Sequence, residues 1–469
     1  MSKLNLAGIW WDPSSPDTKV AGTLVFQADQ GGTLTLIGSL GSMKALAGLA
    51  NFEIIHGLAD NKLVTIYRPY LKTMTTSFPG PHKQILISSQ VFVNAHLNEV
   101  DMNFNRVDIA TEYMPEFVNR SSLTYSMGHT EEGKWTGLKA EVVSQDPIEI
   151  GPVKGGKAFV KFGWGQSSDP FRNITIRENC AVSIDLNRDH SLSEIMSDYV
   201  RPIQDLVTLG TDRPNAITSL SLQSSKILRE EEKPVSIDYY AQAALAPKRT
   251  PKDTLMRPHM LFALSDLKHS QLNKWLIVTN RFGPVVGILF GQRYSKSTHL
   301  ENQLLNAVSA AEAYHRRRFE NTVLDKATWK ARKKKITSKV DKDDVDFVNS
   351  VLQFANEKRL RTRLEEIVDH SGLSGDLMDD PAKWNKDIRD YRNTLTHYDP
   401  DSPTEIKDYE HLYRLAESLS WVMLACLMVE MGFRQKEVLA LFGDNERYKF
   451  TRERLKDSKF TGVSLYVNE

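Results

Sequence analysis

Hydrophobic and polar residues alternate in short runs along the first 140 residues, which is the pattern of β-strands that bury one face. Clusters of Gly, Asp and Asn interrupt these runs, for example at 29–32 and 59–61, and these residue types favour turns. Short strands at this spacing predict an antiparallel sandwich or barrel-like domain. A second β-rich stretch continues beyond residue 140, and the proline-containing basic segment at 244–258 has the composition of a linker.

The spacing becomes helical near residue 296. Apolar residues then recur three or four positions apart, as on one face of an α-helix, most regularly at 300–311 and 412–427. Four or five such helices with short connections predict a helical bundle. The predicted fold is therefore multidomain α+β, with an N-terminal antiparallel β-rich domain (1–140), a second β-rich or mixed region with the linker (141–295) and a C-terminal all-α bundle (296–469).

Composition excludes several classes of protein. The 469 residues include 60 Lys and Arg against 59 Asp and Glu, so any contact with a nucleic acid must use a local basic patch. Cys180 and Cys426 show no paired spacing, which argues against a disulfide scaffold and for a reducing compartment. No apolar run of signal-peptide length begins the sequence, and the strongly apolar stretch 421–429 is too short to cross a bilayer. We therefore expect a soluble cytoplasmic protein without a membrane contact.

The sequence predicts no cofactor and no metal site. Gly151, Gly156 and Lys157 have the residue count of a phosphate-binding Walker loop, but Ala158 replaces the Ser or Thr that would hold magnesium. A strand pattern also follows where that loop requires a helix, so the glycines predict a hairpin turn. The twelve histidines show no metal-binding spacing.

The chemically most informative segment is the hexapeptide Arg392-Asn393-Thr394-Leu395-Thr396-His397. The imidazole of His397 can move protons near neutral pH, and the guanidinium of Arg392 can hold a phosphate in a forked grip. A pair of this kind can cleave RNA without a metal ion. An arginine and a histidine are often five positions apart by chance. The alternative interpretation of this spacing alone is therefore an ordinary helix end at the protein surface.

The surrounding residues place the hexapeptide at the end of a helix. An apolar stripe at helical spacing leads into it, and the residue before Pro400 avoids the α region, so the helix is expected to stop at about Tyr398. Five positions correspond to about 140° around a helix. Arg392 must therefore curl round the helix, or the last turn must unwind, before it and His397 can share a phosphate. Asn393 lies one turn before His397 and shares its face.

The hexapeptide inside a C-terminal bundle resembles the motif of the HEPN superfamily, whose nuclease members carry Arg-x4–6-His. Residues 300–317 resemble the first helix of the HEPN domain in ApeA-type anti-phage proteins. The similarity covers most of the chain, although 140–290 matches only loosely. Short upstream segments resemble the β-rich N-terminal region of the same family, at 8–13, 22–24, 55–57 and 64–65.

This resemblance implies a metal-independent endoribonuclease that cuts host or phage RNA, including transfer RNA, when phage infects, and so halts growth of the host cell (abortive infection). The N-terminal region would sense or regulate, with an unknown phage-derived trigger. Family members usually form homodimers, or higher homo-oligomers, through the HEPN domain, with two motifs facing one cleft. Carried onto this chain, Arg392 and His397 are the catalytic pair, Asn393 is the polar residue after the arginine, and Glu312 is the candidate for a supporting acidic residue on the first helix.

Basic residues supply candidate RNA contacts, because clustered cations attract the phosphate backbone. The candidates lie in a basic run and just before it: Lys333, Lys334, Lys335, Arg316 and Arg317. The alternative is a solvated loop whose charge the acidic residues at 341–346 balance. For Glu312 the alternative is an ordinary i,i+4 ion pair with Arg316. His315 is expected on the helix surface rather than in a second catalytic site.

Two other functions stay open at the level of sequence. One is a non-catalytic HEPN scaffold that binds nucleotides or a partner, with a vestigial motif. The other is a carbohydrate-active β domain with a helical appendage, which requires paired carboxylates in a cleft. The complete Arg392, Asn393 and His397 set favours the nuclease, since a vestigial site is free to lose any of the three.

Overall fold

The computed structural model divides the chain into two compact units, Met1–Leu276 and Ile277–Glu469. The described residues are 3–41, 52–76, 78–169, 171–229, 232–243, 245, 255–295, 299–397 (backbone only at 397) and 408–456. The predicted linker at 244–258 lies mostly outside them.

The first unit is built on antiparallel strands, which confirms the predicted β-rich N-terminal region. The strands are β1 (Leu4–Trp11), β2 (Val20–Gln27), β3 (Gly31–Ile37), β4 (Ile54–Ala59), β5 (Lys62–Tyr67), β6 (Tyr70–Thr75), β7 (Lys83–Ser88), β8 (Gln90–Val93), β9 (Asn103–Thr111), β10 (Leu123–His129), β11 (Trp135–Val142), β12 (Ile148–Val153), β13 (Gly156–Asp169), β14 (Asn173–Ser191), β15 (Ile217–Gln223) and β16 (Ile237–Ala241). Among the described residues, one sheet has the order β12-β13-β14-β9-β15-β16-β8-β5-β4-β1-β2-β3-β7-β6, and β10 pairs with β11 in a separate ribbon.

Half of the large sheet curls into a barrel-like layer. Only Ser89 separates β7 from β8 in sequence, yet these strands lie at opposite ends of the run β8-β5-β4-β1-β2-β3-β7. The run must therefore bend until its two ends meet. Beside this closure the Gln242 N–H donates to the Ser89 carbonyl (2.8 Å) and the Ala243 N–H to the Ala28 carbonyl (2.7 Å). Buried apolar side chains from the same strands fill the inside.

The predicted boundary at 140/141 does not separate two compact units. β9, before the boundary, pairs with β14 and β15 after it, and β8 pairs with β16. One sheet therefore spans the first two predicted domains. Strand spacing does not reveal this arrangement, because the pairing strands are far apart in sequence.

The glycines with the Walker residue count form a hairpin, as predicted. β12 pairs with β13 up to Val153 opposite Gly156, and Lys154 and Gly155 make the turn between them. Gly155 has a φ of 79°, a backbone conformation that favours glycine. A strand follows, not the helix that a phosphate-binding loop needs.

Gly57 lets β4 approach the buried indole of Trp10, its partner in β1. Trp10 is fully buried, and its Nε1 donates to the Gly22 carbonyl at 3.1 Å. A Cβ at position 57 would overlap that ring, so Gly57→Ala is expected to lower the free energy of unfolding by about 1–3 kcal/mol. Chemical denaturation measures the change. Gly163→Ala is the control, because a Cβ on this exposed strand glycine meets no other atom within 4 Å; equal stability of the two variants would contradict the prediction.

Helices close the first unit and build the second, which confirms the predicted C-terminal bundle. In the described residues they are α1 (Met114–Val118), α2 (Leu192–Ile195), α3 (Arg201–Thr211), α4 (Gln271–Arg281), α5 (Gly283–Tyr294), α6 (Leu300–Arg318), α7 (Lys326–Thr337), α8 (Val345–Val351), α9 (Leu360–Ser371), α10 (Ser374–Leu377), α11 (Pro381–His397), α12 (Tyr409–Glu430), α13 (Gln435–Asp444) and α14 (Glu446–Lys456). A π-helical turn, Met196–Val200, joins α2 to α3.

α12 is the central helix of the second unit. α6 packs along it, and α9, α11, α13 and α14 also contact it. By length and composition α12 could cross a membrane, but most of it is buried inside the protein, as in the core helix of a soluble bundle. The apolar stretch 421–429 lies within this helix.

An ionic cluster holds the last turn of α12. Oε1 of Glu430 accepts hydrogen bonds from the Tyr314 hydroxyl (3.0 Å), the Arg318 Nε (2.5 Å) and the His370 Nε2 (3.2 Å). Burial alone would raise the pKa of Glu430, but the hydrogen bonds and the Arg318 charge lower this pKa to about 2. The carboxylate therefore stays charged at neutral pH and ties α6 and α9 to the end of α12.

His315 is fully buried, so the prediction that it lies on the helix surface is wrong. Its Nε2 is 2.6 Å from a carboxylate oxygen of Glu366, and Lys358 Nζ is 2.5 Å from the other oxygen. Burial lowers the pKa of His315, and the bond to Glu366 opposes that shift. The neighbouring Arg316 pairs with Glu357 (3.2 Å) instead of the i,i+4 partner considered above.

Candidate functional site

α11 carries the hexapeptide and is anchored through its first half. Ile388 is fully buried. The Trp384 indole donates to the Ser418 hydroxyl (2.8 Å), and the Asn385 amide donates to the Arg361 carbonyl (2.8 Å). These contacts fix α11 against α12 and α9, so its later turns have a defined position.

The second half of α11 runs past the beginning of α12. The Tyr391 ring contacts the His411 imidazole, with 5.5 Å between ring centroids. The His411 Nε2 is 3.1 Å from a carboxylate oxygen of Asp387, and Lys383 Nζ is 2.7 Å from the same oxygen. Burial, followed by the neighbouring carboxylates, raises the pKa of Tyr391. The two helices are therefore antiparallel, and the hexapeptide lies at the N-terminal end of α12.

Arg392 and Asn393 are already paired. Arg392 is half-buried and Asn393 is exposed, and the Arg392 Nη1 donates to the Asn393 Oδ1 at 3.2 Å. Among the described residues this is the guanidinium's only hydrogen bond. An arginine has five N–H donors, so most of those on Arg392 bond to no described residue.

Two threonine hydroxyls bond back into the last turns of α11. Thr394 donates to the Asp390 carbonyl (3.0 Å), and Thr396 donates to the Arg392 carbonyl (2.8 Å). His397 is the last described residue of α11, and the predicted helix end at about Tyr398 lies outside the described residues. Its backbone lies one turn beyond Asn393, as the sequence predicted.

Glu312 lies at the other end of the bundle. Two residues later on α6, Tyr314 bonds Glu430 in the last turn of α12, whereas Tyr391, next to Arg392, contacts His411 in the first turn. About 28 Å of helix axis separates His411 from Glu430 at 1.5 Å per residue. The structure therefore does not bring Glu312 to the hexapeptide of the same chain.

The candidate RNA-binding residues fall into two groups. Arg316 pairs with Glu357, and the Arg317 Nη1 donates to the Ala313 carbonyl (3.1 Å), so both side chains have protein partners. The second group lies on α7, a helix rather than the loop of the alternative, and makes no ion pair with a described residue: Lys333, Lys334 and Lys335.

The structure adds one pair beside the hexapeptide that the sequence did not predict, Asp387 with His411. Asp387 and Tyr391 are four apart on α11, a spacing that puts both on one helix face. The spacing of Asp387 and Tyr391 can be read from the sequence, whereas their contact with His411 on the next helix cannot. Among the described side chains, no group of three or more His, Cys, Asp or Glu residues could hold a metal ion.

Comparisons with known proteins match both units. Residues 5–275 match the family described as ApeA N-terminal domain 1, and residues 305–437 match Apea-like HEPN. The second match includes the whole hexapeptide. No curated protein and no solved structure matches the chain. The first match alone covers more than half of the sequence, and the HEPN match follows it in the expected order. The chain belongs to the ApeA-type HEPN anti-phage defence proteins.

Proposed function

We propose that this protein is an endoribonuclease that cuts host or phage RNA during phage infection, using Arg392, Asn393 and His397. The observation that carries the proposal is the Arg392–Asn393 pair at the end of α11, inside the HEPN match. HEPN domains are typically ribonucleases, and they commonly dimerise and bind RNA. We place the protein in the cytoplasm, where transfer RNA and phage transcripts are available.

RNA carries its own nucleophile. The 2′-hydroxyl attacks the adjacent phosphorus, the bond to the 5′-oxygen breaks, and the products end in a 2′,3′-cyclic phosphate and a 5′-hydroxyl. A base must take the proton of the 2′-hydroxyl, and an acid must give a proton to the leaving 5′-oxygen. An imidazole can do either near neutral pH.

Arg392 holds the phosphate in this proposal. Its planar guanidinium is always charged and fits two non-bridging oxygens at once. A preorganised cation at the developing charge stabilises the transition state by about 3 kcal/mol. Asn393 supports this role, since its Oδ1 accepts from the guanidinium, while its amide lies one turn before His397 and is available to orient the imidazole.

A dimer supplies the second proton-transfer group. One hexapeptide contains a single histidine, whereas the reaction needs a base and an acid. Two hexapeptides that face one cleft supply both groups, with His397 of one copy as the base and the partner's His397 as the acid. We therefore propose a homodimer, or a higher homo-oligomer, through the HEPN domain. The first unit senses a phage-derived trigger or restrains the bundle.

The decisive experiment maps RNA ends in infected cells, so that any trigger is present. Cells with the wild-type protein are expected to accumulate RNA fragments with 5′-hydroxyl and 2′,3′-cyclic phosphate ends, and cells with His397→Ala are not. Purified full-length protein is then tested in EDTA on the RNA cut in cells. A single 2′-deoxy substitution at the cut position should block cleavage, because the nucleophile is gone.

Two results would count against the nuclease. One is the same set of RNA ends with the wild-type and the His397→Ala protein. The other is unchanged RNA in infected cells, combined with nucleotide binding that Arg392→Ala abolishes, which would favour the non-catalytic scaffold.

A further inference from the structure

A cleft of about 590 Å³ opens on the surface of the first unit. Its volume is within the range of about 300–1,000 Å³ that is usual for sites that bind small molecules. Three parts of the chain form its walls: the end of α1 with the residues that follow it, the strand β12, and the segment 264–269 that precedes α4. All of the lining residues belong to the first unit.

A β-bulge shapes one wall of the cleft. The register between β12 and β13 shifts between Glu149 and Gly151, so Ile150 is an extra residue in β12. A bulge of this kind bends a strand and turns its side chains in a new direction. Gly151 has a φ of 143°, and a Cβ at this position would overlap the His269 carbonyl oxygen. A glycine is therefore needed where β12 approaches the segment 264–269.

The floor of the cleft is apolar. Val118 and Ile150 are buried, and three further apolar side chains line the cleft while remaining partly exposed: Ile148, Leu264 and Leu267. Apolar groups gain free energy when they leave water, so a ligand that covers these side chains with an apolar group would be favoured. The floor therefore selects for an apolar chain rather than for a fully polar ligand.

The rim of the cleft carries an excess of basic side chains. Arg120, Lys268 and His269 line it and are exposed. The Arg120 guanidinium makes no hydrogen bond or ion pair with any residue that the structure describes. Glu149 is the carboxylate on the rim, and Lys157 pairs with it at 3.6 Å, which balances part of its charge. The rim therefore favours a ligand with a single negative charge.

We propose that this cleft binds a ligand that has one carboxylate and a short apolar chain. The Arg120 guanidinium holds the carboxylate through two parallel hydrogen bonds, and the apolar floor holds the chain. A carboxylate fits better than a phosphate, because Glu149 on the same rim repels a doubly charged group more strongly. Fatty acids and the C-terminal residue of a peptide both present this chemistry.

This site goes beyond the proposed function, because it belongs to the first unit and not to the hexapeptide. The segment 264–269 leads directly into α4, which begins in the first unit and continues past its end at Leu276 into the second. The ligand is therefore bound beside the helix through which the chain passes between the units. Its binding requires no RNA, so the binding experiment and the cleavage experiment can fail independently.

The experiment measures the binding of octanoate to full-length protein by isothermal titration calorimetry. Octanoate is expected to bind with a Kd below about 1 mM. Octanamide has the same chain without the charge, and it is expected to bind at least about 10-fold more weakly. Hexanoate is shorter by two methylene groups, so its affinity should be about 5- to 15-fold lower than that of octanoate if the floor holds the chain.

Two arginine variants locate the site. Arg120→Gln is expected to weaken octanoate binding at least about 10-fold and to change octanamide binding less than about 2-fold, because only octanoate uses the positive charge. Arg177→Gln is the control, since Arg177 is exposed in the same unit, lies outside the cleft and makes no ion pair within the described part of the chain. Circular dichroism checks that both variants fold.

A peptide distinguishes the two sources of the ligand. Acetyl-Gly-Leu with a free carboxylate is compared with its amide and with octanoate. Tighter binding of the peptide acid assigns the cleft to a protein C-terminus, and tighter binding of octanoate assigns it to a fatty acid; both support the proposal when Arg120→Gln weakens them. Equal affinities of octanoate and octanamide overturn it, as do equal effects of Arg120→Gln and Arg177→Gln, or no binding of any of these ligands.

Discussion

Replacing His397 with alanine is expected to slow RNA cleavage about 100- to 10,000-fold, because proton transfer by a positioned side chain contributes factors of that size. Arg392→Ala is expected to cause a loss of about 100- to 1,000-fold, since it removes the cation that meets the charge developing on the phosphate. The measurement is the initial rate of cutting of a labelled RNA by full-length protein in EDTA, with the cyclic-phosphate end confirmed.

Matched variants separate these losses from general damage to the bundle. His299 is exposed at the start of α6 and Lys386 is exposed on α11, so alanine at either position should leave the rate unchanged. Arg392→Lys keeps the positive charge but cannot donate two parallel hydrogen bonds to one phosphate, so an intermediate rate is expected. Wild-type rates in the His397→Ala protein would exclude the proposed proton transfer.

Replacing Glu430 with alanine is expected to have the largest effect on stability, lowering the free energy of unfolding by about 3–5 kcal/mol. The change leaves the buried Tyr314 hydroxyl and Arg318 without their shared acceptor. Chemical denaturation followed by circular dichroism measures the loss. Glu365→Ala is the control, because its pair with Arg361 is exposed and should contribute less than about 0.5 kcal/mol. Similar losses in the two variants would contradict the role of the cluster.

The same carboxylate makes stability depend on pH. Its pKa in the folded chain, about 2, is below the ordinary value of 4.5, so the unfolded chain binds the proton more tightly. The stabilisation, about 3 kcal/mol, is complete above pH 4.5 and disappears as the pH falls toward 2. The stability difference between wild type and Glu430→Gln should therefore shrink over that interval. If the stability difference between wild type and Glu430→Gln stays constant from pH 6 to pH 2.5, packing rather than the charge of Glu430 causes that difference.

Sequence patterns predicted features that depend on neighbouring residues. α11 was predictable because its apolar positions repeat regularly. The antiparallel strands were predictable for the same reason, since alternation and turns are local. The hydrogen bond between Arg392 and Asn393 was not predicted, because the sequence analysis paired Asn393 with His397 instead.

Features that depend on packing between helices were not predictable. His315 has the spacing of a surface residue, and it is buried because Glu366 on α9 meets it. The distance of Glu312 from the hexapeptide follows from the direction of α6 along α12, which no spacing within one helix encodes. The single sheet across the 140/141 boundary is the same kind of feature, since its strands come from distant parts of the chain.

The strand order also sets a sequence of events on the ribosome. β16 lies between β15 and β8 in the strand order, so the large sheet of the first unit is complete only after residue 241 has emerged. At about 5–20 residues per second, translation from residue 241 to His397 takes about 8–30 s. The N-terminal unit therefore has time to fold before the hexapeptide is synthesised. The unit proposed to regulate can therefore fold before the residues proposed to cut RNA have been synthesised.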